Sequence, residues 1–421
     1  MRFGWWNVVG MAVLLVATAC ARVEPAAVDD LVFLDTGSGV TAVDPTTGSV
    51  VFAAPHGVPA PDWSRYFTAR SDGQMTRLAV LDPRAGTERA SVVLPGDLAV
   101  AAVSTSGRLA ALAPPRQPGA QPWLPAGRER TEIVVVDPDA GAPPRRFDLA
   151  GNFEPEAFST DDRRLFLLEY LPARAPDRYR VRQLDLAGGE TGPIETRTKA
   201  VNEEEMRGTG RRQVLAPDYR TLYTLYTKQP DHVHARDMVQ AGGTGRPQAH
   251  VQAFVHVLSL AEGWAYCLDL PLPFGAGPAA THTLALSPDG RRLYVADRST
   301  GSLAVADTQT LELSRLAPKQ VPADAAALAG AGAAAQVGPR NTLYLGSGSE
   351  LVAVDGAALT AERRWSVAGA IAGLGLSANG QRLYVGLDDR LAVLDAASGR
   401  EIGSVAAPGL AGIRHVGRRA G

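Results

Sequence analysis

The stretch LSPDGRRLYVAD, residues 286–297, reads as a strand, a tight turn and a second strand. Asp-Gly supplies the positive φ that short hairpins demand, and aromatic and β-branched residues follow at period two. The chain writes this hairpin repeatedly: FSTDDRRLFLLEY at 158–170, LSANGQRLYVG at 376–386, and weaker forms in APDWSRYFTA, STSGRLAAL, APDYRTLYTLY and GPRNTLYLG. A second pattern alternates with the first, an apolar strand that ends in Asp and a turn: VTAVDPTTGS, LAVLDPRAGT, IVVVDPDAGA, LAVADTQTLE, LVAVDGAALT and LAVLDAASGR. An Asp opening a turn can accept backbone N–H bonds two residues on. Joined, the two patterns make a unit of four strands, a to d, with short a–b and c–d turns. Strong helical periodicity is confined to the first twenty residues, so the fold class is all-β.

The unit repeats at somewhat under ~50 residues, the range of β-propeller blades. LYVAD, LYLGS and LYVGL after their SPDG-like turns resemble the YVTN-type repeats of bacterial extracytoplasmic propellers, and also the SPDG turns of TolB-like propellers. The resemblance spans residues 31–416 and implies a scaffold that serves binders and a few enzymes alike. The first unit, LVFLDTGSGVTAVDPTTGSVVFAAP, has strands b, c and d but no a, and seven complete units follow. The tail LAGIRHVG aligns with IAGLGLSAN at 371–379 and reads as an orphan strand a. Pairing it with the first unit closes a ring and removes an exposed edge. The expectation is a single propeller of four-stranded blades over 31–417. Eight blades are expected, with seven as the alternative if the divergent unit at 158–198 is no blade.

Net charge is −2 at a pI near 6.4, and no basic run interleaves with aromatics, so nucleic acid is not expected as a partner. MRFGWWNVVGMAVLLVATAC carries one positive residue, Arg2, and then an apolar run too short to span a bilayer of ~30 Å. It fits a secretory signal peptide over 1–19. VATAC resembles the bacterial lipobox, which implies lipidation of Cys20 and a short tether over 20–30. The implied location is extracytoplasmic, on the outer leaflet of the cytoplasmic membrane. Ala17-Thr18-Ala19 also suits ordinary cleavage and free secretion, and this is the alternative. The only other cysteine, Cys267 in WAYCLDL, reads as a buried hydrophobe on a strand, so no disulfide is expected.

In an up-and-down blade, turns a–b and c–d lie on one face of the ring and connections b–c and d–a on the other. The long segments 114–130, 171–178, 198–212, 228–250, 271–281 and 318–335 all fall in the second class. Binding loops on a rigid scaffold follow this arrangement, so that face is the expected functional surface. His232 and His234 alternate as metal ligands can, but no Cys or carboxylate spacing accompanies them, and no metal is expected. The acids of NEEEM at 202–206 read as a solvated charge run. No G-x-S-x-G, H-E-x-x-H, P-loop or dinucleotide signature occurs in usable context, so neither catalytic residues nor a cofactor are assigned. Five positions before the small turn residue of each unit stand Glu154, Arg211 and His282, on the strands a of three consecutive blades. There they form the candidate ligand-binding set at the channel mouth, suited to an anionic or sugar-like ligand. Two functions fit: a non-catalytic binding module for a protein or glycan partner, monomeric and lipid-anchored, or a lactonase-like hydrolase or lyase working at the same mouth.

Overall fold

The computed structural model describes residues 29–121, 123–197, 205–207, 210–228, 252–321 and 333–419. Its hairpins form as the sequence pattern requires. Strand His282–Leu286 pairs antiparallel with Arg292–Asp297, and Gly290 between them takes φ +70°. Ser287 Oγ donates to Asp289 Oδ1 at 2.5 Å, and the same oxygen accepts from the Arg291 amide at 3.1 Å. The motif recurs as Ser159 with Asp161 and as Ser377 with Asn379. At the c–d turns, Asp44, Asp82, Asp307 and Asp355 each accept two backbone N–H bonds through one carboxylate oxygen.

The strands assemble into eight antiparallel sheets, seven of four strands and one of five. Numbered along the chain, blades 2 to 8 occupy 57–95, 99–150, 152–193, 210–270, 282–317, 334–366 and 373–406. The fifth strand, Glu195–Thr196, adds in parallel to the outer strand of blade 5. Blade 1 takes Asp30–Thr36, Gly39–Val43 and Val50–Ala54, and its inner strand is Leu410–Arg418 from the far end of the chain. The ring is thus closed by the C-terminal strand, and the divergent unit at 152–193 is a full blade, which excludes the count of seven.

The core lies between blades rather than within them. Because side chains alternate across a strand, each Leu-Tyr of strand b divides between two layers. Leu293 packs toward blade 5 while Tyr294 packs toward blade 7. Leu343 and Tyr344 divide in the same way, as do Leu383 and Tyr384. The tyrosine hydroxyls then cross to the next blade: Tyr344 to the Ala396 carbonyl at 3.1 Å, Tyr384 to Asp30 Oδ2 at 2.8 Å. Such layers fill every interface around the ring, including that of blades 8 and 1, where Tyr384 and Leu391 meet Val32 and Leu34. Each fully buried aliphatic side chain contributes about 1.5–3 kcal/mol. The layers therefore dominate cohesion.

Connections a–b and c–d, four to eight residues each, form one face, here the turn face. Every connection longer than eight residues emerges on the opposite, loop face: 114–129, 194–209, 228–252, 271–281 and 318–333. The strands they join belong to blades 3 to 7. The first strand begins and the closing strand ends on the turn face, where the Arg419 amide donates to the Asp29 carbonyl at 2.8 Å and Arg419 pairs with Asp44 at 2.9 Å.

Candidate functional site

On the loop face, blades 3 and 4 carry a platform made by their b–c connections, 114–129 and 172–177. The two loops touch through backbone: the Arg128 amide donates to the Ala173 carbonyl at 2.8 Å. A Cβ on Gly127 would stand 1.8 Å from the Arg174 carbonyl oxygen, so only glycine permits this approach. Asn152, at the start of the inner strand of blade 4, donates Nδ2 to Ala126 O at 2.9 Å and to Ala173 O at 3.3 Å. Below lies an apolar layer between blades 4 and 5, made of Leu168, Tyr170, Tyr179, Met206, Tyr226, Phe254 and Cys267, into which the loop inserts Leu124, with Trp123 packed on its edge. Trp123, Tyr179, Tyr226 and Phe254 follow one another at ring separations of 5.3–5.9 Å. The loop is anchored on this layer through Leu124 and Trp123.

Beside the platform a cavity of about 220 Å³ opens, walled by Ala99, Val100 and Ala101 on one side and by Arg116, Arg128, Asn152, Glu154 and Tyr170 on the other. Glu154 Oε2 accepts from the Tyr170 hydroxyl at 2.6 Å and lies 3.6 Å from Arg116 Nη1. Arg116 also donates Nη2 to the Trp123 carbonyl at 2.7 Å, which fixes its guanidinium over the opening. Two guanidinium groups, one carboxylate and one carboxamide around a small-walled hollow suit a polar group that both donates and accepts, such as a sugar hydroxyl pair or a peptide unit.

Of the three residues singled out at the mouth, Glu154 lines this cavity. Arg211 lies in Gly210–Leu215, the inner strand of blade 5, opposite Tyr226, and its side chain falls outside the described atoms. His282 heads the inner strand of blade 6 but is fully buried beneath 271–281. Its Nε2 accepts from the Gly275 amide at 2.9 Å, so Nδ1 carries the proton and donates to Pro278 O at 3.0 Å. Burial holds its pKa below the ordinary imidazole value despite Asp297 at 3.5 Å. The ring is a neutral structural staple for its loop, closed off from the cavity that Glu154 lines.

Arg116, Arg128 and Tyr170 escaped the sequence reading. The signal for the two arginines was a Pro-rich loop, PPRQPGAQPWLPAGRER, that nonetheless carries a tryptophan. Within NEEEM, Glu205 pairs with Arg178 at 2.6 Å and Met206 is sunk into the aromatic layer. Residues 202–204 lie outside the described residues, as do Cys20, His232, His234 and His250. Cys267 is buried in the same layer, as its strand pattern implied.

Comparison with solved structures returns propellers of the same order. The dihydro-heme d1 dehydrogenase NirN, solved in complex with DHE, is similar at a TM-score of 0.52 and 15% identity, over 94% of this chain and 76% of that one. Apo AztD from Citrobacter koseri is similar at a TM-score of 0.53 and 12% identity, over 92% of this chain and 96% of that one. At such identities the likeness shows the fold alone. No protein-family model matches the sequence, and no curated protein does.

Proposed function

We propose that this protein is a lipid-anchored, extracytoplasmic propeller of the YVTN or TolB-like kind that binds a protein or glycan partner through its loop face and catalyses no reaction. One observation carries the reading: every long connection joins strand ends on the same face, and one of them, 114–129, is anchored by Leu124 and Trp123 on the apolar layer of blades 4 and 5. Loops without a task have no need of that investment. The chain ends support it too. Asp29 and Arg419, the outermost described residues, lie on the turn face, so a tether through Cys20 would hold the loop face outward from the membrane. A lactonase-like hydrolase or lyase at the mouth calls for an acid/base pair beside Glu154, and the imidazole nearest in sequence register, His282, is closed off beneath its loop.

The test is affinity capture from detergent-solubilised cell envelopes with the full chain as bait. Wild type and Asn379→Ala, altered in a turn-face hairpin, are expected to retain the same partner, and the double variant Arg116→Glu/Arg128→Glu is expected to lose it. Cys20→Ala should move the protein out of the membrane fraction or stall its processing. Loss of the partner from Asn379→Ala, with retention by the loop-face variant, reverses the assignment of the face; membrane retention and normal maturation of Cys20→Ala remove the anchor.

A further inference from the structure

The central channel is distinct from the cavity beside Glu154. It is a hollow of about 690 Å³ bounded by the inner strands of blades 5 to 8 and by the closing strand. Each inner strand is hydrogen-bonded to its own blade on one edge only, so its other edge turns backbone N–H and C=O groups toward the axis. Between blades 7 and 1 the walls are small, with Ala333 to Ala335, Gly373, Gly375 and Gly412. That leaves room where larger side chains would fill the axis.

Four lining side chains can carry charge: Asp35, Arg212, Arg414 and His415. Arg414 Nε pairs with Asp35 at 3.2 Å and its Nη1 donates to Gly57 O at 3.3 Å. His415 is stacked on Trp63 and is neutral at pH 7, its pKa pushed down to about 4 by burial. The nearby Glu156 accepts from Gln213 at 2.7 Å. Arg212, opposite Leu225 in the inner strand of blade 5, has no hydrogen-bond or ion-pair partner among the described residues. Its side chain is solvent-exposed within the channel it lines. The channel walls around it lower its pKa from the ordinary guanidinium value. A guanidinium with no carboxylate beside it in a confined channel is free to take an anion from solution.

We propose that the central channel is a binding site for a small organic anion, a carboxylate or phosphate monoester, whose charged end is taken by Arg212. The planar fork of a guanidinium matches either oxyanion bidentately, and one unpaired cation selects one anionic end. The volume suits a ligand of drug-like size. Gln213 and Gln336 stand on the walls as donors and acceptors for a polar body, and the Ala and Gly walls admit an apolar one. This site is independent of the loop-face partner.

Titration calorimetry and thermal melting on the full chain test it with three probes that share one ring: phenyl phosphate, benzoate and neutral benzyl alcohol. Saturable binding of at least one anion, one per chain, is expected, with no binding of benzyl alcohol. The anion that binds identifies the oxyanion. Arg212→Gln should weaken that binding at least tenfold, Arg212→Lys should weaken it less, and neither should lower the melting temperature of the free protein, since no partner is lost. The proposal is overturned if neither anion binds at tens of millimolar, if benzyl alcohol binds equally, if Arg212→Gln binds as wild type does, or if Arg212→Gln melts well below wild type.

Discussion

His415 shows what a single side chain contributes to closure. Its ring lies on Trp63 with centroids 5.2 Å apart and planes 6° from parallel, and Phe33 stands 5.8 Å away. Burial, reinforced by the Arg84 guanidinium, brings its pKa to about 4 against an ordinary value of 6.5. The folded state therefore refuses a proton that the unfolded chain accepts. The associated stability is full above pH 6.5 and is lost as pH falls toward 4. His282, depressed by its own burial, acts in the same direction. Denaturant midpoints should accordingly decline across that window, ahead of the Asp turns, whose lowered carboxyl pKa values place their losses below pH 3.8. His415→Phe keeps the stack and removes the proton, so its midpoint should vary less between pH 6.5 and 4; a slope equal to that of wild type assigns the effect elsewhere. Neither histidine's role was legible in the sequence. Contact between residues 63 and 415, or the folding of 271–281 over a strand end, follows from ring geometry and leaves no local pattern.

The strand-b element was the most legible part of the chain, because Leu-Tyr after a Ser-Asp-Gly turn meets three demands at once. Alternation divides the pair between two layers, the turn fixes the register, and the phenol reaches across to the next blade. What the sequence withheld was the partner of each hydroxyl. Tyr344 meets only a carbonyl, but Tyr384 meets the Asp30 carboxyl, which burial lifts above its ordinary pKa and the tyrosine pulls back. Removing a donor from a buried acceptor costs about 1–3 kcal/mol, more when the acceptor can ionise. Tyr344→Phe should thus cost about 1 kcal/mol and Tyr384→Phe about 2 kcal/mol in urea unfolding at pH 7. Equal losses in the two variants would count against a special link between the last blade and the first. The long loops were legible in placement but not in content: Arg116 and Tyr170 meet Glu154 only because Gly127 and Asn152 clamp two loops from different blades.

At the scale of the ring, the blade count and the closing strand followed from the missing strand a of the first unit and the surplus strand of the tail. Leu410 is buried in the layer between blades 8 and 1, with Ile413 and Val416 packed on it. At about 2 kcal/mol per apolar side chain, deletion of residues 410–421 removes roughly 6 kcal/mol, comparable with the whole stability of an ordinary domain at 5–15 kcal/mol. The truncated chain should melt far below wild type and open blade 1 to amide exchange first; a wild-type melting temperature would falsify closure through this strand. The same strand sets the order of events during synthesis. It is translated after every other strand of the ring, so a nascent chain holds seven finished blades and one unsealed edge until the end. Throughout that interval the edge of Asp30–Thr36 is a template for any extended segment nearby, and the tail of a second copy fits it as well as its own. Two chains that exchange tails would seal both rings with the native strand pairing kept and only the link at 407–409 rearranged, a swapped dimer favoured by crowding of nascent chains.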